Sequence, residues 1–162
     1  MEGKNMAEQL LDIGAKAPAF SLPRDGGDTV SLEDFAGKPV VLFFYPKAST
    51  PGCTTESLDF TRLHQEFVDA GAVVLGASKD SVKKQENFAA KQELTVPLLS
   101  DADGTLCEDY GVWGEKKMYG KTFMGITRTT YLIGADGKIA QVWPKVKVPG
   151  HADEVLAAVK AL

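Results

Sequence analysis

The sequence predicts an α/β fold of three layers, in which a mixed central β-sheet carries helices on both faces. Residues 40–45 (VVLFFY) and 72–77 (AVVLGA) are apolar, β-branched runs, typical of strands that are buried on both sides. The segment 51–69 between them has an apolar stripe at helical spacing, so the three form a βαβ unit. Residues 129–133 and 138–143 flank the turn GADG and predict an antiparallel hairpin beside the parallel strands.

The remaining elements are shorter and rest on turn and cap signals. They are, in chain order, strands at 17–22 and 29–32 around the turn RDGGD, a helix at 81–91 capped by Ser81, a strand at 95–99, a helix at 104–110, and a final helix from His151. The segment 111–126 mixes glycine, lysine and aromatic residues, and we expect it to form a long loop.

Composition and charge limit the classes of protein that this chain can belong to. With 162 residues, 44% hydrophobic and 25% charged, the chain is expected to form one domain over 1–162, with residues 1–8 as a flexible extension. A net charge of −4 disfavours nucleic-acid binding. Two cysteines are too few for a secreted disulfide framework and favour the cytoplasm, and no apolar run is long enough to span a membrane.

The most informative stretch, residues 46–56 (PKASTPGCTTE), joins a buried strand to the following helix. Pro51 suits the first helical position, which makes Thr50 the N-cap and puts Cys53 in the first turn. The positive end of the helix dipole favours a thiolate there, and the thiolate is the nucleophilic form of cysteine. The competing interpretation is that Cys53 is an inert small residue of the core.

Several separated motifs resemble the peroxiredoxins. Pro46, Thr50 and Cys53 match the signature Pro-x-x-x-Thr-x-x-Cys, and FFYPKASTPGCTTE, LGASKDS, PLLSDADGTLCEDYGVWGEKKMYGK and GITRTTYLIGADGKI extend the match over nearly the whole chain. The sequence is most similar to the bacterioferritin comigratory protein (BCP) subfamily, also called PrxQ. The resemblance implies a thioredoxin-like fold and a thiol peroxidase that reduces hydrogen peroxide and organic hydroperoxides without a metal or organic cofactor.

The resemblance also assigns roles to individual residues. It makes Cys53 the peroxidatic residue, which is oxidised to sulfenic acid, with Thr50 orienting the peroxide and Pro46 shielding the site from water. It places Arg128 beside the thiolate, where a guanidinium can stabilise negative charge. Glu56, one turn after Cys53, either braces Arg128 or is a solvated carboxylate at the helix start, and the sequence leaves both interpretations open.

Both positions where relatives carry a resolving cysteine hold other residues in this chain, namely Leu58 and Ala89. The protein therefore either works with one cysteine or carries alanine in place of a resolving Cys at position 89. Cys107 is interpreted as a buried structural thiol, with a resolving role as the alternative. A bridge to Cys53 needs Cα atoms within about 7 Å, or local unfolding.

The resemblance implies a monomer that takes electrons from thioredoxin, glutaredoxin or a low-molecular-weight thiol. Two other functions remain as alternatives: a thiol–disulfide oxidoreductase, disfavoured because no Cys-x-x-Cys occurs, and a redox-regulated holdase. His64 and His151 lack metal-ligand spacing, so no metal site is expected. Lys116, Lys117 and Lys121 are interpreted as a solvated basic loop, with a docking patch as the alternative.

Overall fold

A computed structural model of the protein describes residues 10–162, so the extension predicted for residues 1–8 lies outside the described part. The strands are β1 (Ser21–Pro23), β2 (Thr29–Ser31), β3 (Val40–Phe44), β4 (Val73–Ser78), β5 (Leu98–Ser100), β6 (Trp113–Met118), β7 (Lys121–Ile126), β8 (Thr129–Ile133) and β9 (Ile139–Trp143). The helices are α1 (Pro51–Asp69), α2 (Val82–Gln92), α3 (Leu106–Asp109) and α4 (His151–Lys160), with a 3-10 helix at Leu32–Phe35. None of the helices within residues 10–162 is both long and apolar enough to cross a membrane.

The central sheet has five strands in the order β5-β4-β3-β8-β9. Strands β5, β4 and β3 run parallel, and β8 and β9 are antiparallel to their neighbours. The mixed sheet and the βαβ unit are thus confirmed. Because β3 pairs with β8 in antiparallel register, with Phe44 opposite Thr129, the chain after β3 and the chain before β8 meet at one edge.

Alternating side chains of β3 divide the core into two clusters, one on each face of the sheet. Val41 and Phe43 pack on the side of α1, α2 and α4, whereas Leu42 and Phe44 pack on the side of α3 and the N-terminal strands. Helices therefore cover both faces, as predicted. Among residues 10–162, α3 is the one α-helix on the second face, and the β1–β2 and β6–β7 hairpins pack beside it.

Most predicted elements are confirmed, with different bounds for the small ones. The strand predicted at 95–99 is wrong for residues 95–97, because β5 spans Leu98–Ser100, and the helix predicted at 104–110 is limited to Leu106–Asp109. Helix α1 spans the predicted residues, and the Ser81 side chain accepts a hydrogen bond from the Lys84 amide at the start of α2. The strand predicted at 17–22 is wrong for residues 17–20, because pairing between β1 and β2 covers only Ser21–Pro23. The strand expected at 29–32 ends at Ser31, where the 3-10 helix begins.

The loop predicted at 111–126 is wrong, because β6 and β7 form a regular antiparallel hairpin there. Tyr119 and Gly120 connect the strands with φ angles of 53° and 76°, the left-handed pair that a two-residue hairpin turn requires. Asparagine or aspartate usually fills the first of these positions, so Tyr-Gly is a weak turn signal. We call this element, Trp113–Ile126, the lysine hairpin, since it contains Lys116, Lys117 and Lys121.

Candidate active site

The N-terminus of α1 positions Cys53 at the edge where β3 ends. Thr50 is the N-cap, with extended backbone (φ −87°, ψ 156°), and Pro51 is the first helical residue. The first intrahelical bond runs from the Thr54 amide to the Thr50 carbonyl at 2.9 Å. The amides of Gly52 and Cys53 precede it and so have no intrahelical acceptor. Positive potential from these amides and the helix dipole therefore surrounds the Cys53 sulfur.

Arg128 reaches this helix start from the short connection between β7 and β8. Its carbonyl accepts a hydrogen bond from the Val146 amide at 2.9 Å, which holds the backbone in place. Its Nη2 lies 3.4 Å from Cys53 Sγ. A Cβ on Gly52 would stand 3.1 Å from the same nitrogen, so glycine gives the guanidinium room to lie against the first turn. The structure thus joins a buried thiol and a permanent cation.

Glu56 holds the other side of the guanidinium. Its Oε1 accepts a hydrogen bond from Arg128 Nη1 at 2.6 Å, and the residue is only 1% exposed. The interpretation of Glu56 as a solvated carboxylate is therefore wrong. Burial raises the pKa of Glu56 to about 7, although the charge of Arg128 acts in the opposite direction. Among the described residues, Oε2 has no hydrogen-bond partner.

Two hydrogen bonds hold the loop between β3 and α1 in place. The Thr50 hydroxyl donates to the Lys47 carbonyl at 2.8 Å and does not cap the helix amides. Ser49 has a left-handed backbone, with φ of 65°. The Ala48 amide donates to Asp80 Oδ2 at 2.7 Å. Pro46, half-buried, begins this loop directly after the buried end of β3.

A buried polar network supports the loop from below. Asp80 Oδ2 also accepts from the Ser78 hydroxyl at 2.6 Å, and the Gln85 amide group donates to Ser78 Oγ at 3.1 Å. The Tyr45 hydroxyl donates to Gln85 Oε1 at 2.6 Å, and burial raises the Tyr45 pKa well above its usual range. The phenol therefore stays neutral and keeps donating.

Several residues of this arrangement were not found from the sequence, among them Asp80, Gly52 and Gln85. Asp80 carries a usable signal, because it follows the carboxyl end of a parallel strand, where functional groups gather in α/β sheets. Gly52 lies inside the cysteine motif but shows its purpose only once Arg128 is placed. Nothing in the local sequence points to Gln85.

Of the positions proposed for a resolving thiol, Ala89 lies on the same face of the sheet as Cys53, in the same buried cluster, and Cys107 lies on the opposite face. Leu58 is 39% exposed on α1. The amide of Cys107 donates to Asp101 Oδ2 at 2.9 Å, and burial, reinforced by this carboxylate, strongly raises the pKa of the Cys107 thiol. The structure does not bring Cys107 to Cys53.

The two histidines make separate local contacts. His64 Nδ1 is 2.8 Å from Thr95 Oγ1, and His151 Nε2 is 2.8 Å from Thr130 Oγ1. Burial lowers the pKa of His151 to about 4. No group of three or more potential metal-ligating side chains comes together anywhere in residues 10–162.

The sequence of this chain is similar to those of known proteins. The model of the AhpC/TSA family matches residues 13–142. A protein of Coxiella burnetii named "Putative peroxiredoxin bcp" is 52% identical over 90% of this chain and 97% of its own length. "Peroxiredoxin Bcp" of Xanthomonas campestris is 51% identical, over 96% of this chain and 98% of its own.

Solved structures are equally similar. The Xanthomonas campestris bacterioferritin comigratory protein, described by its alkyl peroxide reduction activity and trapped intermediate and ligand complexes, has a TM-score of 0.86 at 51% identity, covering 93% of this chain and 98% of that one. A PrxQ mutant of Xylella fastidiosa has a TM-score of 0.88 at 44% identity, with 93% and 96% covered.

Proposed function

Because the chain belongs to the AhpC/TSA family, as a thiol-dependent peroxidase of the Bcp/PrxQ peroxiredoxins, we propose that Cys53 is the residue that attacks the peroxide. The observation that carries this assignment is the 3.4 Å contact between Arg128 Nη2 and Cys53 Sγ at the start of α1. A guanidinium that remains charged at every working pH stabilises negative charge on the sulfur and oxygen atoms that react beside it. Cys107 has a carboxylate beside it instead.

The reaction is a displacement at oxygen. The Cys53 thiolate donates an electron pair to one peroxide oxygen, the O–O bond breaks, and the products are the sulfenic acid and an alkoxide or hydroxide. A proton from solvent converts that anion to an alcohol or water. Arg128 and the free amides of Gly52 and Cys53 stabilise the charge on the leaving oxygen as it develops.

Thr50 and Pro46 complete the pocket in this proposal. The Thr50 hydroxyl already donates its proton to the Lys47 carbonyl, so its oxygen is left to accept a hydrogen bond. It can therefore hold a peroxide by the peroxide's own O–H and cannot at the same time donate to the thiolate. Pro46 has no N–H and limits the access of water at the mouth of the loop.

The substrates we infer are hydrogen peroxide and organic hydroperoxides, and the alkyl peroxide reduction named for the Xanthomonas relative supports the second group. A peroxiredoxin needs a thiol reductant, and for this chain we propose thioredoxin, glutaredoxin or a low-molecular-weight thiol. We also propose one domain over residues 1–162, a monomer, and a cytoplasmic location, which the two free thiols support.

The test is a single turnover with one equivalent of peroxide. Stopped-flow measurements give the rate of peroxide consumption, and intact-mass spectrometry identifies the oxidised product. We expect Cys53→Ser to abolish peroxide consumption, because it removes the nucleophile. Cys107→Ser is the matched control and should keep most of the first turnover, since the sheet separates Cys107 from the site. Equal losses in the two variants would reject the assignment.

A further inference from the structure

The lysine hairpin has a charge opposite to that of the rest of the chain. It contains Lys116, Lys117 and Lys121 but a single acid, Glu115, whereas the whole chain has a net charge of −4. In the register, Lys116 lies opposite Phe123 and Met118 opposite Lys121. Since side chains alternate along a strand, these four share one face of the ribbon, and Glu115 lies on the other face.

This lysine face begins next to the peroxidatic site. The Lys116 ammonium folds back and donates to the Ile126 carbonyl at 2.9 Å, two residues before Arg128. Burial and the charge of Arg128 lower the pKa of Lys116, whereas Cys53 acts to raise it, so all three groups lie within electrostatic range of one another. Met118 and Phe123 are 54% and 42% exposed on the same face. The result is a cationic and partly apolar surface that begins close to Arg128.

The oxidised sulfur needs a reductant that comes from outside the chain. Cys107 is on the opposite face of the sheet, and the sequence contains no third cysteine. The Cys53 side chain is fully buried, which admits a small molecule more readily than the rigid surface of another protein. A negatively charged thiol would concentrate at the lysine face, while a cationic thiol would be repelled.

Building on the proposed function, we propose that the lysine face binds the carboxylate of a small anionic thiol and directs that thiol to the sulfenic acid of Cys53. The first thiol, RSH, attacks the sulfenic sulfur, which gives the mixed disulfide Cys53–S–S–R and water. A second RSH attacks the mixed disulfide, which releases RSSR and restores the Cys53 thiol. The two electrons lost to the peroxide are thus returned by two thiols.

The test compares three short thiols that differ in charge: 3-mercaptopropionate, 2-mercaptoethanol and cysteamine. Cys53 is first oxidised with one equivalent of peroxide, and the return of the free thiol is then followed at low salt. Each rate for the double variant Lys116→Gln/Lys121→Gln is divided by the parent rate with the same thiol, which cancels intrinsic thiol reactivity. We expect a loss of roughly fourfold with 3-mercaptopropionate, about twofold for each lysine, and an increase with cysteamine.

The matched control is Lys16→Gln/Lys138→Gln, which removes the same charge at the opposite end of the sheet. There the main chains of these two residues pair in an isolated antiparallel β-bridge. The control variant should leave the three ratios close to one. The parent's preference for the anionic thiol should also fade as salt is raised. Equal ratios for the three thiols, or the same pattern in the control variant, would overturn the proposal. Since the Cys53→Ser test of the proposed function needs no thiol, the two ideas can fail separately.

Discussion

Replacing Glu56 with glutamine tests how burial and ion pairing balance at the active site. The carboxylate is 1% exposed and 2.6 Å from Arg128, so desolvation and the ion pair act on it in opposite directions. With a pKa of about 7 against an ordinary value of 4.5, desolvation is the larger effect. The folded protein then binds more protons at Glu56 than the unfolded chain does between pH 4.5 and 7.

The sign of the effect on stability follows from proton linkage. A carboxyl group whose folded pKa is raised contributes its full stability below pH 4.5 and loses it as the pH rises to about 7. The shift corresponds to about 3 kcal/mol in the free energy of unfolding. Glutamine has nearly the same shape and no titration here, so Glu56→Gln should remove this pH dependence.

The assay is equilibrium denaturation of parent and Glu56→Gln between pH 4.5 and 7.5, both in a Cys53→Ser background so that oxidation of the thiol does not interfere. We expect the advantage of the parent over the variant to shrink by up to about 3 kcal/mol as the pH rises. Glu66→Gln, the same change on an exposed position of α1, supplies the baseline. If the parent's advantage grows with pH instead, the ion pair outweighs burial and the reasoning is wrong.

Three further predictions concern the surroundings of Cys53. Arg128→Met should slow single-turnover peroxide reduction by about 10²–10³-fold, the usual effect of losing one preorganised donor; a stopped-flow rate within twofold of the parent would contradict its role. Ala89→Cys should form a disulfide with Cys53, visible as a loss of two hydrogens in intact mass, and should protect against sulfinic acid, whereas the exposed Ala90→Cys should not. Asp80→Ala should lower the free energy of unfolding by about 2 kcal/mol in denaturant titrations, because a loop amide loses its charged acceptor; an unchanged midpoint and slope would exclude that contact.

Local patterns were enough to predict the central fold. Two continuous apolar runs and the helix between them identify the βαβ unit, because a strand that is buried on both faces has apolar residues along its whole length. The cap residues Thr50 and Ser81 predicted where two helices begin, because capping depends only on the residues at the start of a helix. The lysine hairpin was missed because its strands lie largely on the surface, so they need no apolar alternation, and its turn uses Tyr119 where a stronger signal would be asparagine.

The candidate site divides along the same line between local and long-range information. Helix capping alone puts Cys53 in the first turn of α1, and this placement depends only on residues 50–53. Arg128 is 75 positions away from Cys53, and its approach depends on the antiparallel register of β3 with β8 and on the missing Cβ of Gly52. No local propensity encodes either condition. From the sequence alone, a single arginine before a strand is interpreted as a surface residue. Only the resemblance to a family identified Arg128 as part of the site.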